Sequence, residues 1–499
     1  MATREYTLLI DFDNDGTFTA TGENVTTRTL HVEFQRGRDV NSQLVGKSVA
    51  GSLQAVLNNQ SGDYNSYNST GPLSGSLLPG RLVRFQMDGT TIFQGYLERL
   101  LPSPSVKGLD RVAIEVIGPL GYINRQRISV RQLTNVDAGT IVNAILDETD
   151  WPSASRDIDA GKTTVVRYWA DRQEPLDALR KIEDSESGFL REDKTGKIVF
   201  ENRHRRMTSP YYTSTATFTD DPTGTVVYME PLVQEDPLPF IFNEMVATVT
   251  PYTLGATATL WVMGQTGTTA PVINPSSTII LWAKYPNPTA TNNAVGVDDW
   301  ITPTATTDYN VYSDQAGTGS NLNGSTTLTV TEFGNEMKMV FRNGGTAVSY
   351  ITALVARGVP LLSRDPLVIS VEASTSQTRY RTRTRPSPAP FIPNPQEAKD
   401  WGDWNVAIYK DPIVRLQMTY IANRTTAMLT QAAGRDISDR ITIISTGTRS
   451  NMGLNRAFYI EALKHVVEAD RTHTVTYMLS EAVQASDGWA LDVSELGTR

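Results

Sequence analysis

A chain of 499 residues has room for about three or four domains, and its 39% hydrophobic and 20% charged residues allow packed cores and exclude wholesale disorder. The net charge of −9 argues against a protein that coats nucleic acid, and we expect no sequence-specific binding of nucleic acid. The chain contains no cysteine, which excludes disulfides, zinc–thiolate sites and cysteine nucleophiles.

The N-terminus has no basic segment followed by an apolar one, and no stretch approaches the roughly 18 apolar residues of a membrane span. We therefore expect a protein that is made soluble, has no membrane span and is not sent through the general secretory route.

Strand patterns dominate the N-terminal part of the chain. Apolar and polar residues alternate, as in half-buried strands, along residues 29–34, 82–87, 91–97 and 111–117. Asp88-Gly89 separates the second of these segments from the third, which is the strongest short signal for a β-hairpin. Several short strands joined by glycine-rich turns predict a small β-barrel domain at residues 1–125.

The next part of the chain has a different pattern, with two predicted helices at residues 137–148 and 175–187. Asp137 can cap the first helix, and Pro175 suits the first position of the second. Residues 189–192 and 197–200 then form a predicted hairpin. Together these elements predict an α+β domain at residues 126–210.

Between residues 246 and 360 the charge falls, and threonine, glycine, asparagine and serine become frequent. Strand-like segments rich in β-branched residues lie at residues 257–262, 277–282, 326–331 and 336–341. Regularly spaced short strands of this kind predict an inserted β-sandwich of immunoglobulin-like size.

Five prolines between residues 386 and 395 predict a stiff connector, and Asn394 is predicted to cap a helix at residues 395–409. The strand pattern returns at residues 441–444, 458–463 and 474–479. We assign residues 211–245 and 361–499, with this helix, to a second β-barrel domain. The predicted fold class is mainly β with an α+β part: two small β-barrel domains, an α+β domain and the inserted β-sandwich.

Sequence patterns typical of enzymes are scarce. The four histidines (His31, His204, His465 and His473) have no metal-ligand spacing, and no nucleophile elbow or phosphate-binding glycine motif is present. A structural or surface role is therefore favoured for each histidine. Glu183, Asp184 and Glu186 cluster at one helix end; a glycosidase needs two carboxylates in one cleft, but a solvated acidic turn explains the cluster equally well.

One segment matches the start of a calcium-binding loop. Residues 11–16 read DFDNDG, in which alternating oxygens can surround a hard cation and the glycine permits the turn. The predicted metal ligands are Asp11, Asp13 and Asp15. However, the twelfth position is Gly22 instead of a bidentate glutamate, and Glu23 comes one place late. Because the closing ligand is absent, a strand that enters an Asp-Gly turn is the favoured explanation, with calcium binding as the alternative.

A basic stretch at residues 379–385 places an arginine at every second position. If the stretch is extended, all four arginines lie on one face. That face could hold phosphates or an acidic neighbour, and an edge strand protected by its charge is an equally good explanation.

The order of several short motifs resembles that of the tail-tip (baseplate) hub proteins of siphophages and prophages. In the N-terminal part the similar segments are residues 11–18, 23–26, 36–39, 50–59, 78–84 and 92–95. Further on they are residues 175–189, 196–200, 458–461, 473–476 and 489–492. The resemblance covers both ends of the chain, whereas the predicted sandwich is an addition to a minimal hub.

This resemblance implies a non-enzymatic structural protein of the virion, assembled in the host cytoplasm and placed at the distal end of the phage tail. It implies a homotrimer in which two hub β-barrel domains per subunit form a pseudo-sixfold ring that adapts the sixfold tail tube to a threefold tip. The implied partners are the distal tail protein or tail tube protein, the tape-measure protein, and tail fibre or spike proteins. Such a hub would help host attachment and genome delivery.

Two other functions stay open at this stage. A receptor- or glycan-binding tail adhesin would need a sugar-stacking surface on the sandwich, formed by Trp261, Trp282 or Trp300, although core packing is the commoner role of such tryptophans. A cell-wall-cleaving tail enzyme would need two carboxylates in one cleft.

Overall fold

The computed structural model describes residues 5–38, 48–105, 108, 110–228, 232–235, 238–285, 294–387, 391–392, 395–446 and 452–482. None of the helices in this part of the chain is long and apolar enough to cross a membrane.

Six α-helices lie in the described residues: α1 (Pro119–Ile123), α2 (Ala138–Asp147), α3 (Pro175–Glu186), α4 (Ser374–Tyr380), α5 (Pro395–Tyr409) and α6 (Thr426–Gly434). Short 3-10 helices lie at Thr26–Arg28, Ser153–Ser155, Arg205–Met207, Leu238–Phe240, Gly267–Thr269, Asn323–Ser325 and Ala422–Arg424. The sequence predicted α2, α3 and α5. Asp137 caps α2 by accepting a hydrogen bond from the Thr140 N–H at 3.1 Å. The predicted cap of α5, Asn394, lies outside the described residues.

The strands of the first half of the described chain are β1 (Tyr6–Ile10), β2 (Thr29–Arg38), β3 (Ser48–Asn58), β4 (Leu82–Met87), β5 (Thr90–Ser103), β6 (Arg111–Ile117), β7 (Leu133–Asp137), β8 (Arg156–Ile158), β9 (Thr164–Tyr168), β10 (Phe189–Glu192), β11 (Ile198–Glu201), β12 (Thr217–Thr219), β13 (Val233–Glu235) and β14 (Glu244–Val249). All strands predicted in this half are present. Asp88 and Gly89 both have positive φ, as the predicted two-residue hairpin turn between β4 and β5 requires.

The strands of the second half are β15 (Tyr252–Leu254), β16 (Ala258–Val262), β17 (Val272–Ile273), β18 (Thr278–Lys284), β19 (Ala294–Ile301), β20 (Tyr309–Tyr312), β21 (Thr326–Glu332), β22 (Glu336–Asn343), β23 (Ser349–Ser363), β24 (Leu367–Glu372), β25 (Thr384–Ser387), β26 (Arg415–Ile421), β27 (Arg440–Ser445), β28 (Leu454–Val467) and β29 (His473–Glu481). The strands predicted in the sandwich and near the C-terminus are confirmed, with longer bounds for most of them.

One twelve-stranded sheet combines the strands that were predicted for the two barrels. Six of its strands are β1 to β6, and the other six are β12, β13 and β26 to β29. The two sets meet where β2 pairs antiparallel with β28, from Val32 opposite Val467 to Gly37 opposite Ala462. Both sets contribute to one hydrophobic core. Among the described strands, no series of strand pairs closes into a barrel. The fold is mainly β, as predicted, but the two sets of six strands form two joined half-sheets instead of two closed barrels.

Three smaller cores lie outside this sheet. Helices α1, α2 and α3 pack with β7 to β11 around an α+β core, as expected for that region. In the sandwich, five strands pair with the long β23, and the sheet of β18, β22 and β21 shares a core with them. Helix α5 packs on a third small sheet of β24, β14 and β25, with Trp401 and Met245 in its core. The domain boundaries given above stay predictions.

The region around residues 379–395 differs from the sequence prediction. Arg379 belongs to helix α4, and Arg381 has a φ of +66°, so the basic stretch is not one extended strand. Arg385 and Pro386 lie in β25, which pairs in parallel with β14. Of the predicted stiff connector, residues 388–390 and 393–394 lie outside the described residues.

Gly37 permits the close approach of β2 to β28. Its φ is +120°, and a Cβ atom there would lie 2.4 Å from the Glu461 carbonyl oxygen. We predict that Gly37→Ala lowers the free energy of unfolding by about 2–4 kcal/mol, because a strained backbone and a steric clash add together. Chemical denaturation of purified protein measures this change.

The matched control is Gly89→Ala, since Gly89 also has a positive φ (+74°) but has open space around it. That variant should cost only about 1 kcal/mol. Equal costs for the two variants would contradict a role of Gly37 in joining the half-sheets.

Candidate functional site

The acidic loop after β1 brings its three aspartates together. One carboxylate oxygen from each of Asp11, Asp13 and Asp15 lies within 4.8 Å of the others. Asp11 is buried, and its two oxygens accept hydrogen bonds from the backbone N–H groups of Asn14, Asp15 and Gly16 at 2.6, 3.2 and 3.0 Å. Asp13 and Asp15 are exposed.

Glu23 closes the same loop from its other end. Its buried carboxylate accepts hydrogen bonds from the N–H groups of Phe12 at 3.1 Å and Ala20 at 2.8 Å. Burial raises the pKa of Glu23, although these hydrogen bonds oppose the shift. The loop is therefore held by backbone donors, as expected for an Asp-Gly turn. Metal binding by Asp11, Asp13 and Asp15 stays a prediction.

A buried charged cluster lies where the α+β unit meets both half-sheets. Arg36 of β2 donates from Nη1 to Asp436 Oδ1 at 2.8 Å and to the carbonyl oxygen of Glu192 at 3.1 Å. The Glu192 side chain accepts hydrogen bonds from the N–H groups of Gly51 at 2.9 Å and Leu120 at 2.6 Å. Burial raises the pKa of Glu192 to about 7 despite these donors.

A second group of buried ion pairs continues this cluster. Glu201 of β11 accepts from Arg191 Nε at 2.7 Å and from the Ser438 hydroxyl at 2.7 Å. Arg206 forms a two-pronged ion pair with Glu461 of β28, with distances of 2.6 and 3.1 Å. Burial opposes ionisation of Glu461, but Arg206 and Arg38 lower its pKa to about 2. These charges fasten the α+β unit to the large sheet.

A cavity of about 160 Å³ borders this cluster and is covered by helix α5. Trp401, Phe189, Tyr459, Arg206 and Glu461 are among its lining residues. The volume corresponds to about five water molecules. Three buried carboxylates line the cavity: Glu201 and Glu461 are held in ion pairs, and Glu183 accepts a backbone hydrogen bond. They are therefore poorly placed to act as a general acid or base.

The acidic cluster at the end of α3 is not the solvated turn that the sequence allowed. Glu183 is buried and accepts from the Leu190 N–H at 2.9 Å. Glu186 is fully buried and accepts from the N–H groups of Lys162 at 2.9 Å and Thr163 at 2.7 Å. Both carboxylates accept hydrogen bonds from the backbone of their own unit, which does not favour a role for them in glycoside cleavage.

His465 and His473, predicted on neighbouring strands, form a buried hydrogen-bonded chain between the half-sheets. His465 Nδ1 and His473 Nε2 are 3.0 Å apart, and the Tyr6 hydroxyl lies 3.1 Å from His473 Nδ1. The Phe34 ring stacks on His465 at 4.5 Å between centroids. Burial lowers the pKa of His473 to about 3 and that of His465 well below its usual value. At the surface, His31 contacts Glu468, and His204 packs edge-on against Trp404.

The three sandwich tryptophans do not form one exposed platform. Trp300 is buried and donates to the Phe333 carbonyl at 2.6 Å. Trp282 stacks on Phe333, and its ring is covered by Arg172 and Lys338. Trp261 is partly buried and packs against the sandwich core. Trp300 and Trp261 therefore pack in or against the sandwich core, and Trp282 packs against Phe333 and two cations.

Sequence reasoning missed most of the buried charges because they are not contiguous. Arg36, Glu192 and Asp436 come from distant parts of the chain and have no spacing that marks them as partners. A charged residue within a short strand, such as Arg191 in β10, is a weak local signal of such a cluster.

Comparison with known proteins identifies the fold. No protein-family model matches the chain, and no curated protein sequence matches it. Among solved structures, a tail protein from Neisseria meningitidis MC58 is similar with a TM-score of 0.52 and 10% identity, over 97% of this chain and 98% of that one. The 43 kDa tail protein of prophage MuSo2 from Shewanella oneidensis is similar with a TM-score of 0.50 and 11% identity, over 97% and 99%. The chain therefore has the mainly β fold of these two tail proteins.

The acidic loop yields a stability prediction. Asp11→Ala removes the acceptor of three backbone N–H groups, and we expect a loss of about 2 kcal/mol in the free energy of unfolding, measured with a chelator present. The matched control is Asp13→Ala, which replaces an exposed side chain and should change stability by about 0.5 kcal/mol or less. If both variants, with the chelator present, show the same small loss in the free energy of unfolding, the hydrogen bonds from backbone N–H groups to Asp11 do not hold the loop.

The histidine chain yields a prediction on pH. Because the folded-state pKa of His473 lies below its unfolded value, its contribution is present above pH 6.5 and is lost as the pH falls towards 3. We expect wild type to lose about 2 kcal/mol more than His473→Gln between pH 6.5 and 4.5. Chemical denaturation at several pH values measures this difference.

Wild type must be compared with His473→Gln because Glu192, present in both proteins, changes the free energy of unfolding with pH in the opposite direction. Its raised pKa gives a contribution that is present at low pH and is lost as the pH rises towards 7. His31→Gln, at the surface, serves as the control and should follow wild type. Identical pH profiles of wild type and His473→Gln would contradict the prediction.

Proposed function

We propose that this chain is a non-enzymatic structural hub of the tail tip of a tailed bacteriophage. In this role three copies form a ring that adapts the sixfold tail tube to a threefold tip. The hub resides in the virion at the distal end of the tail, is assembled in the host cytoplasm, and helps host attachment and genome delivery.

The observation that carries this proposal is a fold match that extends over nearly the whole length of this chain and of two tail proteins. A match of that extent leaves little room for an additional catalytic module within the compared length. The individual motifs that resemble tail-tip hubs lie mainly in the large sheet and the α+β unit, which are the parts that such a ring needs.

The large sheet supports the proposed symmetry. Each chain contributes two joined half-sheets of six strands, so a trimer would present six half-sheets around its axis. The β2–β28 pairing and the ion pairs beneath it fix the relative position of the half-sheets, which a ring of constant geometry requires. At one end of the sheet, β13 pairs with β26 and with no other described strand, and its residues are exposed.

The proposed partners follow from this position in the tail. A distal tail protein or tail tube protein would contact one face of the ring, the tape-measure protein its centre, and tail fibre or spike proteins its outer side. The sandwich would project from the ring or brace a neighbouring protein. The buried state of Trp300 and the covered ring of Trp282 make a glycan-binding adhesin the weaker alternative.

The mass of the purified protein in solution, together with electron-microscopic averaging of single particles, tests this proposal. We expect a ring-shaped homotrimer, formed by the protein alone or after addition of the tail tube protein from the same phage. A monomer under both conditions that binds or cleaves host glycans would overturn it. Gly89→Ala protein is a suitable folding control, because that change affects one exposed hairpin turn and should leave the ring intact.

A further inference from the structure

The sandwich rests on the α+β unit through a defined contact. Trp169 lies directly against Gly334, where a Cβ atom would be 2.3 Å from the Trp169 Cγ, and against Gly296. Beside it, Arg167 forms an ion pair with Asp298. Gln132 donates to the Asp298 carbonyl oxygen at 3.1 Å. These contacts define the position of the sandwich relative to the α+β unit at this point.

A group of oxygen atoms lies next to this contact. Glu336, at the start of β22, is fully buried, and neither of its carboxylate oxygens accepts a hydrogen bond. Asp171 of the α+β unit and Asn335 each have one further side-chain oxygen that is buried and accepts none. Asn335 Nδ2 donates to the other Asp171 oxygen at 3.1 Å, which places these side chains side by side. Four buried acceptors in one place require a positive partner.

The nearby cations satisfy these oxygens only in part. Lys284 Nζ lies 3.6 Å from Glu336 Oε2 and 3.9 Å from Asp171 Oδ2, both beyond hydrogen-bonding distance, and its side chain is 54% exposed. Arg172 is exposed and packs over the Trp282 ring. Both cations can turn towards solvent. Because the same Lys284 ammonium group lies near both carboxylates, Glu336 and Asp171 are close to each other.

We propose that Asp171, Asn335 and Glu336 form a binding site for a hard divalent cation, with calcium as the best fit, at the contact between the α+β unit and the sandwich. Carboxylate and amide oxygens are the ligands that calcium prefers, and water completes its shell of 6–8 oxygens. Because the ligands come from both units, a bound cation would fasten the sandwich in place. This inference does not depend on the proposed role in a phage tail.

Terbium, a luminescent substitute for calcium, tests the site in the full-length protein. Trp169 and Trp282 lie close to the site, so excitation at the red edge of tryptophan absorption should produce terbium emission that calcium competes away. We expect Glu336→Gln to weaken terbium and calcium binding by about a factor of ten or more, because one of two charged ligands is lost. Lys284→Met should strengthen binding, because it removes a competing positive charge.

Calcium should also raise the thermal midpoint of wild type and not that of Glu336→Gln. Glutamine has nearly the shape of glutamate and removes a buried charge, so the cation-free variant should unfold at the same temperature as cation-free wild type or above it. This result would show that Glu336→Gln has lost the bound cation and that its fold is intact.

The double variant Asp13→Asn, Asp15→Asn is the matched control for the acidic loop and should retain both signals. If the calcium effects disappear in that double variant and persist in Glu336→Gln, the cation binds at the loop and the proposal is wrong. An absence of terbium emission and of any calcium-dependent stabilisation in wild type would overturn it equally, and would leave a shared proton as the partner of the two carboxylates.

Discussion

The antiparallel pairing of β2 with β28 is the contact on which the rest of the molecule depends. It joins a strand near the N-terminus to one near the C-terminus and makes one sheet and one core from two distant sets of strands. The chain between these two strands, which includes the α+β unit and the sandwich, therefore begins and ends in the same sheet. Gly37 lies at this pairing because any side chain there would overlap the backbone of β28.

Buried charges accompany this pairing and tie the α+β unit to it. Arg36 and Arg206 contact carboxylates of other units, whereas the ion pair of Arg191 and Glu201 lies within the α+β unit. Such ion pairs add little net stability relative to apolar packing, but removing one partner leaves an unpaired buried charge and is costly. Their effect is therefore mainly to favour one relative arrangement of the units.

The sandwich is attached differently. Its own core is complete, and it meets the α+β unit through one aromatic contact at Trp169 and a few polar groups around Asp171 and Asp298. A limited polar contact of this kind responds to ions and pH more readily than an apolar core does.

Local patterns determined the secondary structure and the fold class of this protein. Alternation predicted the strands, and the Asp137 cap and Pro175 predicted two helices, because each of these signals depends on neighbouring residues only. The order of short motifs along the chain, by its resemblance to tail-tip hub proteins, indicated the tail-protein fold. Tertiary structure decided the rest. The union of the half-sheets, the buried histidine chain, the pairing of Glu186 with backbone donors and the meeting of Asp171 with Glu336 all join residues far apart in the chain. Their positions follow from packing and from the need to satisfy every buried charge and donor, which no local pattern records.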